Sequence, residues 1–292
     1  MAEKGSEIML YNAGLILEGG AMRGVYTCGV IDCFIENDIM FKTVYGVSAG
    51  AGHAYSYLSH QKGRAFHANT DYLKGYNYLG LGSFIKTGSL FNMDLIYDTI
   101  PNKLLYFDHD AFKNSPMTLF AAVTNCETGK PEYIKVTDSK KQLDVSRASG
   151  SLPFISPPVK IGDKTYFDGG ITDSIPLGKS ISDGNELNVV VLTRDKAYRK
   201  SPEKSAKLIK MKYRQYPKLY EAVKNRHVMY NGELELIEAE ERAGRAIVIR
   251  PERPVTVKRA DTDMEKLTAL YNDGYKDACK ALAKIKKLPL SL

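Results

Sequence analysis

The chain has 292 residues, of which 43% are apolar and 26% charged, and a net charge of +7. That apolar content supports a sizeable core and excludes disorder for most of the chain. No run of about 18 apolar residues occurs, which excludes a spanning helix; residues 1–14 carry Glu3, Lys4 and Glu7 and lack the apolar stretch of a signal peptide, so the expected location is cytoplasmic.

Residues 14–17 form a short apolar run halted by Glu18-Gly19-Gly20, which reads as a buried strand. Residues 22–36 carry apolar side chains at helical spacing, from Val25 and Cys28 to Phe34 and Ile35. A second short strand is expected at 43–45, broken by Gly46, and the small residues after Ser48 open another helix. This is a βαβα unit, whose right-handed crossover makes its two strands parallel. Residues 62–118 are rich in aromatics and glycine without a clean period, and read as an irregular insertion with short helices. Strands are expected at 118–124, 133–136, 164–167, 187–192 and 246–249. Helices are expected at 141–149, through a basic stretch to Arg226 interrupted by Pro217, at 233–242, and at 263–287. The fold class is α/β: a mostly parallel central sheet flanked by helices, with a mainly helical C-terminal extension.

Four cysteines (Cys28, Cys33, Cys126, Cys279) contain no C-x-x-C pair, and five histidines (His53, His60, His67, His109, His227) show no metal-ligand spacing. Neither a disulfide framework nor a metal site is expected, and no cofactor.

Three segments carry candidate chemistry, each at the end of an expected strand. Gly46-Val47-Ser48-Ala49-Gly50 is a G-x-S-x-G, in which flanking glycines let a serine occupy a tight strand-to-helix turn. Gly19-Gly20-Ala21-Met22-Arg23-Gly24 ends the neighbouring strand, so its backbone N–H groups can serve as an oxyanion hole. A phosphate loop is the competing reading. It fails G-x-G-x-x-G at Ala21, and Gly24-Val25-Tyr26 fails the P-loop pattern. Asp168-Gly169-Gly170 supplies a carboxylate. Histidine is the usual partner of a serine nucleophile. His53, one turn past Ser48, reads as a packed or exposed helix residue rather than a base, and His227 sits in the basic stretch. The order Ser48, Asp168, His227 fits an α/β-hydrolase triad, but that fold places more sheet before its nucleophile than 47 residues supply. A carboxylate acting directly on serine is feasible in a dry site, and a turn between strands is the plain reading of D-G.

In this order and spacing the three motifs resemble those of the patatin-like phospholipases, over roughly 12–195. Residues 10–24 and 43–52 carry most of the resemblance, and 148–153 (ASGSLP) is similar to a further block of that family. The resemblance implies a lipid acyl hydrolase of phospholipase A type, with a Ser–Asp dyad and an acyl-enzyme. Ser48 would be the nucleophile and Asp168 the base. Gly19, Gly20, Ala21 and Gly24 would form the oxyanion loop, with Arg23 lending positive charge, and Gly46 and Gly50 would frame the nucleophile elbow. Gly169 and Gly170 complete the Asp-Gly-Gly motif. Ala21 departs from the third glycine usual there, and a positive φ at that position costs about 1 kcal/mol or more. The implied organisation is a catalytic domain at 12–195; within it 62–118, apolar but without a sheet period, reads either as an acyl-pocket lining or lid through Tyr76, Tyr78 and Phe84 or as a core-filling insertion. Residues 196–292 then form a basic helical extension packed on the core.

Between 196 and 226 there are 11 Lys/Arg against Glu203 and Glu221, a net charge of +9. Such a segment suits peripheral docking on an anionic membrane. A solvated helix face is the alternative, and single-stranded nucleic acid, stacking on Tyr198, Tyr213, Tyr216 and Tyr220, is the disfavoured rival. Besides the dyad enzyme, a non-catalytic lipid- or nucleic-acid-binding protein and a Ser-His-Asp esterase are the other readings.

Overall fold

A computed structural model describes residues 9–203 and 206–291. Glu3, Lys4 and Glu7, and positions 204, 205 and 292 of the basic extension, lie outside the described residues.

Strand β1 (Tyr11–Leu17) is buried from Ala13 onward, as a strand covered on both faces must be. A 3-10 turn, Ala21–Gly24, leads into α1 (Val25–Glu36), and β2 (Phe41–Val47) returns parallel to β1. β2 does not break at Gly46, which pairs with Leu17 inside the ladder. The glycine serves the following helix, α2 (Ala49–Leu58): a Cβ on Gly46 would lie 2.5 Å from Ala51 Cα. The 62–118 stretch is built of short helices. It holds α3 (Arg64–Thr70), α4 (Leu81–Thr87), a wide-turned helix at Leu95–Leu104 and α5 (His109–Lys113).

β3 (Thr118–Asn125) is parallel to β2, and β4 (Pro131–Val136) is antiparallel to β3. After α6 (Leu143–Gly150) come β5 (Val159–Ile161) and β6 (Lys164–Asp168), then α7 (Leu177–Ser182) and β7 (Asn188–Val191). β5 and α7 are too short for their patterns to stand out in the sequence. The C-terminal part holds α8 (Ala206–Lys212), α9 (Pro217–Arg242), β8 (Ala246–Ile249) and α10 (Met264–Ile285). The hydrogen-bonded order is β5-β6-β3-β2-β1-β7-β8, with β4 also paired to β3. β8, β7, β1, β2 and β3 run parallel.

Pro217 does not interrupt a helix. It opens α9 in the first turn, where its missing N–H costs nothing. From there one helix of 26 residues carries the end of the basic stretch and the charged 233–242 segment. β8 adds a strand to the central sheet beside β7. α10, capped by Asp263, lies so close on α1 that a Cβ on Gly274 would sit 2.0 Å from Tyr26 O, and one on Gly29 2.0 Å from Tyr271 O. Tyr271 donates to Asp32 (2.8 Å) and Tyr26 to Asp277 (2.9 Å) across the same contact.

Candidate active site

Ser48 sits between β2 and α2 with φ 53° and ψ −123°. A non-glycine residue at positive φ is held there only by its surroundings. The Ser48 N–H donates to Ser149 Oγ (2.9 Å), and Ser149 donates to Ala122 O (2.8 Å), which ties the elbow to β3. Two glycines let the backbones close on it. A Cβ on Gly50 would meet Leu17 O at 2.4 Å, and one on Gly19 would meet Ser48 Cβ at 2.9 Å. α2 begins at the next residue, so its N-terminus faces the same space.

Asp168 ends β6, which is antiparallel to β3, so it does not reach Ser48 from the end of a strand parallel to β2. The register does the work instead. Ala122 pairs with Val47 on one edge and Tyr133 on the other, while Val123 pairs with Asp168 and Glu132. β4 occupies one edge of β3 throughout, so β2 and β6 share the other edge and meet head-on, Val47 and Asp168 at consecutive positions. Ser48, following Val47, faces the carboxylate and makes a hydrogen-bonding contact that lowers its pKa. Asp168 Oδ1 also accepts from Gly170 N (2.7 Å). A Cβ on Gly169 would lie 2.3 Å from Ala122 O, so the chain can leave β6 here only as glycine. Burial pushes the carboxyl above its usual range. Arg226, Ser48, the Gly170 N–H and Arg259 oppose that rise without cancelling it.

The glycine loop lies against both. Ala21 adopts φ 49°, the strained conformation its departure from glycine implies. The Arg23 N–H is taken by Gly20 O (3.1 Å) and the Met22 N–H by Arg259 O (3.2 Å). Among the described residues, no protein acceptor meets the N–H groups of Gly19 and Gly20. Gly24 packs under His53: a Cβ there would be 2.7 Å from His53 Cε1. The Arg23 side chain is buried, and burial and Arg194 push its pKa down to about 10.

The histidines do not complete a triad. His53 is buried, contacts Asn69 through Nε2 (3.1 Å) and is pushed down to about 4 by burial, so it is neutral at pH 7. His227 contacts Lys224 O on the outside of α9.

Two cavities open at Ser48. One is mainly apolar and is lined largely by the 62–118 insertion, through Tyr78, Phe91, Ile96, Tyr97 and Phe107 among others. Of the three aromatics singled out for an acyl pocket, Tyr78 lines it, whereas Tyr76 and Phe84 are exposed. The second cavity is polar. It holds Asp168, the loop Gly19–Ala21, and the cations Arg23, Arg194, Lys200, Arg226 and Arg259. Sequence reasoning placed Lys200 and Arg226 on a solvated or membrane-facing surface and passed over Arg194 and Arg259. Arg226 instead donates to Gly170 O (2.5 Å). One signal was available: Leu219, Val223, Tyr230, Leu234 and Ile237 form the buried stripe of α9, and Arg226 falls on that stripe, three residues past Val223 and four before Tyr230.

Fold and pocket together define the class: an α/β protein with an elbow serine set against a buried aspartate at the mouth of an apolar cavity. The family model "Patatin-like phospholipase" matches residues 15–179, and the chain belongs to this family. A second model, described as a domain of unknown function (DUF6363), matches residues 216–288. The chain is 29% identical over 183 residues to the protein YjjU of Escherichia coli (strain K12), covering 61% of this chain and 51% of that protein. It is 24% identical over 195 residues to the probable lipid hydrolase 463L of Invertebrate iridescent virus 6, covering 61% of this chain and 66% of that protein. It thus spans half to two-thirds of the length of these relatives. The crystal structure of VipD from Legionella pneumophila superposes with a TM-score of 0.51 at 15% identity, covering 93% of this chain and 67% of VipD, a likeness of fold.

Proposed function

We propose that the protein is a lipid acyl hydrolase of phospholipase A type, working through a Ser48–Asp168 dyad. The observation that carries this reading is the head-on meeting of β2 and β6, which sets a strained serine against a buried carboxylate beside an apolar cavity. Ser48 Oγ attacks the ester carbonyl as its proton passes to Asp168. The N–H groups of Gly19 and Gly20, with Ala21 completing the loop, hold the oxyanion. The tetrahedral adduct collapses, the alcohol leaves with the proton from Asp168, and the acyl group stays on Ser48. Water then attacks the acyl-enzyme, giving its proton to Asp168, and the fatty acid departs as Ser48 regains its hydroxyl. The raised pKa of Asp168 narrows its gap to the serine, which favours the transfer.

The test is hydrolysis of a short-chain nitrophenyl ester, with fluorophosphonate labelling located by mass spectrometry. Ser48→Ala and Asp168→Asn should each lower kcat by about 10^3-fold or more, and label should sit on Ser48 alone. Activity persisting in either folded variant rejects the dyad. A non-catalytic lipid-binding protein would leave Ser48 unlabelled.

Peripheral contact with an anionic membrane through 196–226 remains part of the reading, now centred on α8. Ala206 and Ile209 turn inward there, while Leu208 and Met211 stand exposed among Lys207, Lys210 and Lys212. Tyr213 is buried and Tyr198 lies edge-on to Tyr230, an arrangement poorly suited to stacking on bases. Among the described residues no helix is long and apolar enough to cross a membrane. Sedimentation with anionic vesicles, lost in Leu208→Ser/Met211→Ser, supports the contact; a gel shift with oligonucleotide in its place overturns it.

A further inference from the structure

The polar cavity beside Ser48 is lined by five cations and two carboxylates. These carboxylates offset the cations only in part, Asp168 acting on Arg226 and Glu18 on Arg23 and Lys200. Glu18 accepts from Thr193 N (2.5 Å), Thr193 Oγ1 (3.0 Å) and Tyr230 OH (2.7 Å), and Asp168 faces the serine. Glu203 lies near Arg226 and offsets part of one charge. Two guanidinium nitrogens, Arg23 Nε and Arg194 Nε, are buried with no hydrogen-bond partner among the described residues. Such groups are costly unless an acceptor meets them. Lys200 and Arg194 are braced by ring faces, Lys200 Nζ 4.6 Å from the Tyr230 centroid and Arg194 4.5 Å from that of Tyr198. Burial together with Arg226 and Arg259 pushes the Lys200 ammonium down to about 7, as expected where like charges crowd.

The structure assigns this cavity as a phosphate-binding subsite, built by Lys200, Arg226 and Arg259 of the C-terminal part with Arg23 and Arg194, that selects acyl lipids with an anionic phosphomonoester headgroup over those with a zwitterionic one. The assignment rests on the hydrolase reading and deepens it. Ser48, Ala21 and Arg259 line both cavities, so an ester carbonyl at Ser48 places its acyl chain on the apolar side and its alcohol portion among the cations. Guanidinium forks and an ammonium suit a phosphate dianion. A choline or ethanolamine nitrogen would bring a sixth positive charge into the same cavity. Arg226 and Arg259 both fall within the 216–288 region, which thereby acquires a role in substrate recognition.

The test uses the full chain and the variant Lys200→Gln/Arg194→Gln, with Lys200→Arg/Arg194→Lys as the charge-retaining control. In detergent micelles of neutral charge, phosphatidic acid, phosphatidylcholine and diacylglycerol with identical acyl chains are compared with nitrophenyl butyrate. The wild type should prefer phosphatidic acid to phosphatidylcholine at least tenfold in kcat/KM. The glutamine variant should lose at least tenfold on phosphatidic acid and stay within twofold on nitrophenyl butyrate, and the control should recover most of the loss. At matched ionic strength, inorganic phosphate and glycerol 3-phosphate should raise the Tm of the wild type and leave that of the glutamine variant unmoved. No Tm response in the wild type overturns the subsite. A response to inorganic phosphate combined with no lipid preference assigns the cavity to a free anion and overturns the headgroup selection. A Tm response lost in the variant, in a protein that hydrolyses no ester, supports the phosphate site while refuting the hydrolase reading.

Discussion

Removing the Arg226 charge should move the acid limb of the pH–rate profile. Asp168 must be ionised to accept the serine proton, so kcat/KM falls as pH drops through its pKa. Burial raises that pKa, and Arg226 heads the influences that lower it. A Cβ built on Gly170 would lie 3.0 Å from Asp168 Oδ1 and 3.2 Å from Arg226 Nη2. The two groups are therefore within roughly 6 Å, which at an effective dielectric constant near 20 gives about 3 kcal/mol, or two pH units. Arg226 is partly exposed, and solvent screening reduces this to about one unit. In Arg226→Gln the acid limb should shift upward by about one pH unit on a neutral nitrophenyl ester, with the high-pH plateau lowered less. Arg226→Lys should restore the limb. An unmoved limb in Arg226→Gln with a lowered plateau would refute the electrostatic argument and leave Arg226 a purely structural tie to Gly170.

Four further outcomes are expected. Ile96→Trp, which fills the apolar cavity, should cut kcat/KM for a dodecanoyl nitrophenyl ester about tenfold or more while leaving the butyrate ester nearly unchanged; loss on both would argue against an acyl pocket. His53→Gln should retain activity within about tenfold, far from the loss in Asp168→Asn, since a neutral packed histidine is not the base. Gly274→Ala should lower stability by about 1–3 kcal/mol in denaturant titration, because the added Cβ meets Tyr26 O and α10 must move off α1. Ala21→Gly should relieve positive-φ strain and raise stability by up to about 1 kcal/mol, with activity preserved.

What the sequence disclosed follows physical lines. The βαβα unit was legible because the buried 14–17 run, the glycine loop and the G-x-S-x-G are local signals read without knowing the remainder of the chain. The convergence of Asp168 on Ser48 was not, since it depends on which edge of β3 each strand occupies, a long-range register that no local pattern encodes. Pro217 illustrates the same limit on a smaller scale: proline marks a boundary, and only the surrounding packing tells a break from a beginning. The cation cavity escaped notice for a different reason. Composition gathers 196–226 into one positively charged segment, whereas the fold sorts its members individually. Arg226 and Lys200 go inward and Lys207 and Lys210 outward, and the inward pair meets Arg23 and Arg194 from elsewhere in the chain.

β1 lies between β2 and β7, strands separated by about 140 residues of sequence. During synthesis its backbone can therefore be satisfied on one side early, while the other side waits for a segment made much later. Fragments ending before residue 188 would expose the middle of the sheet as a raw edge and should self-associate, and folding of the full chain should be slow for its size, since so distant a pairing must close before the sheet is complete.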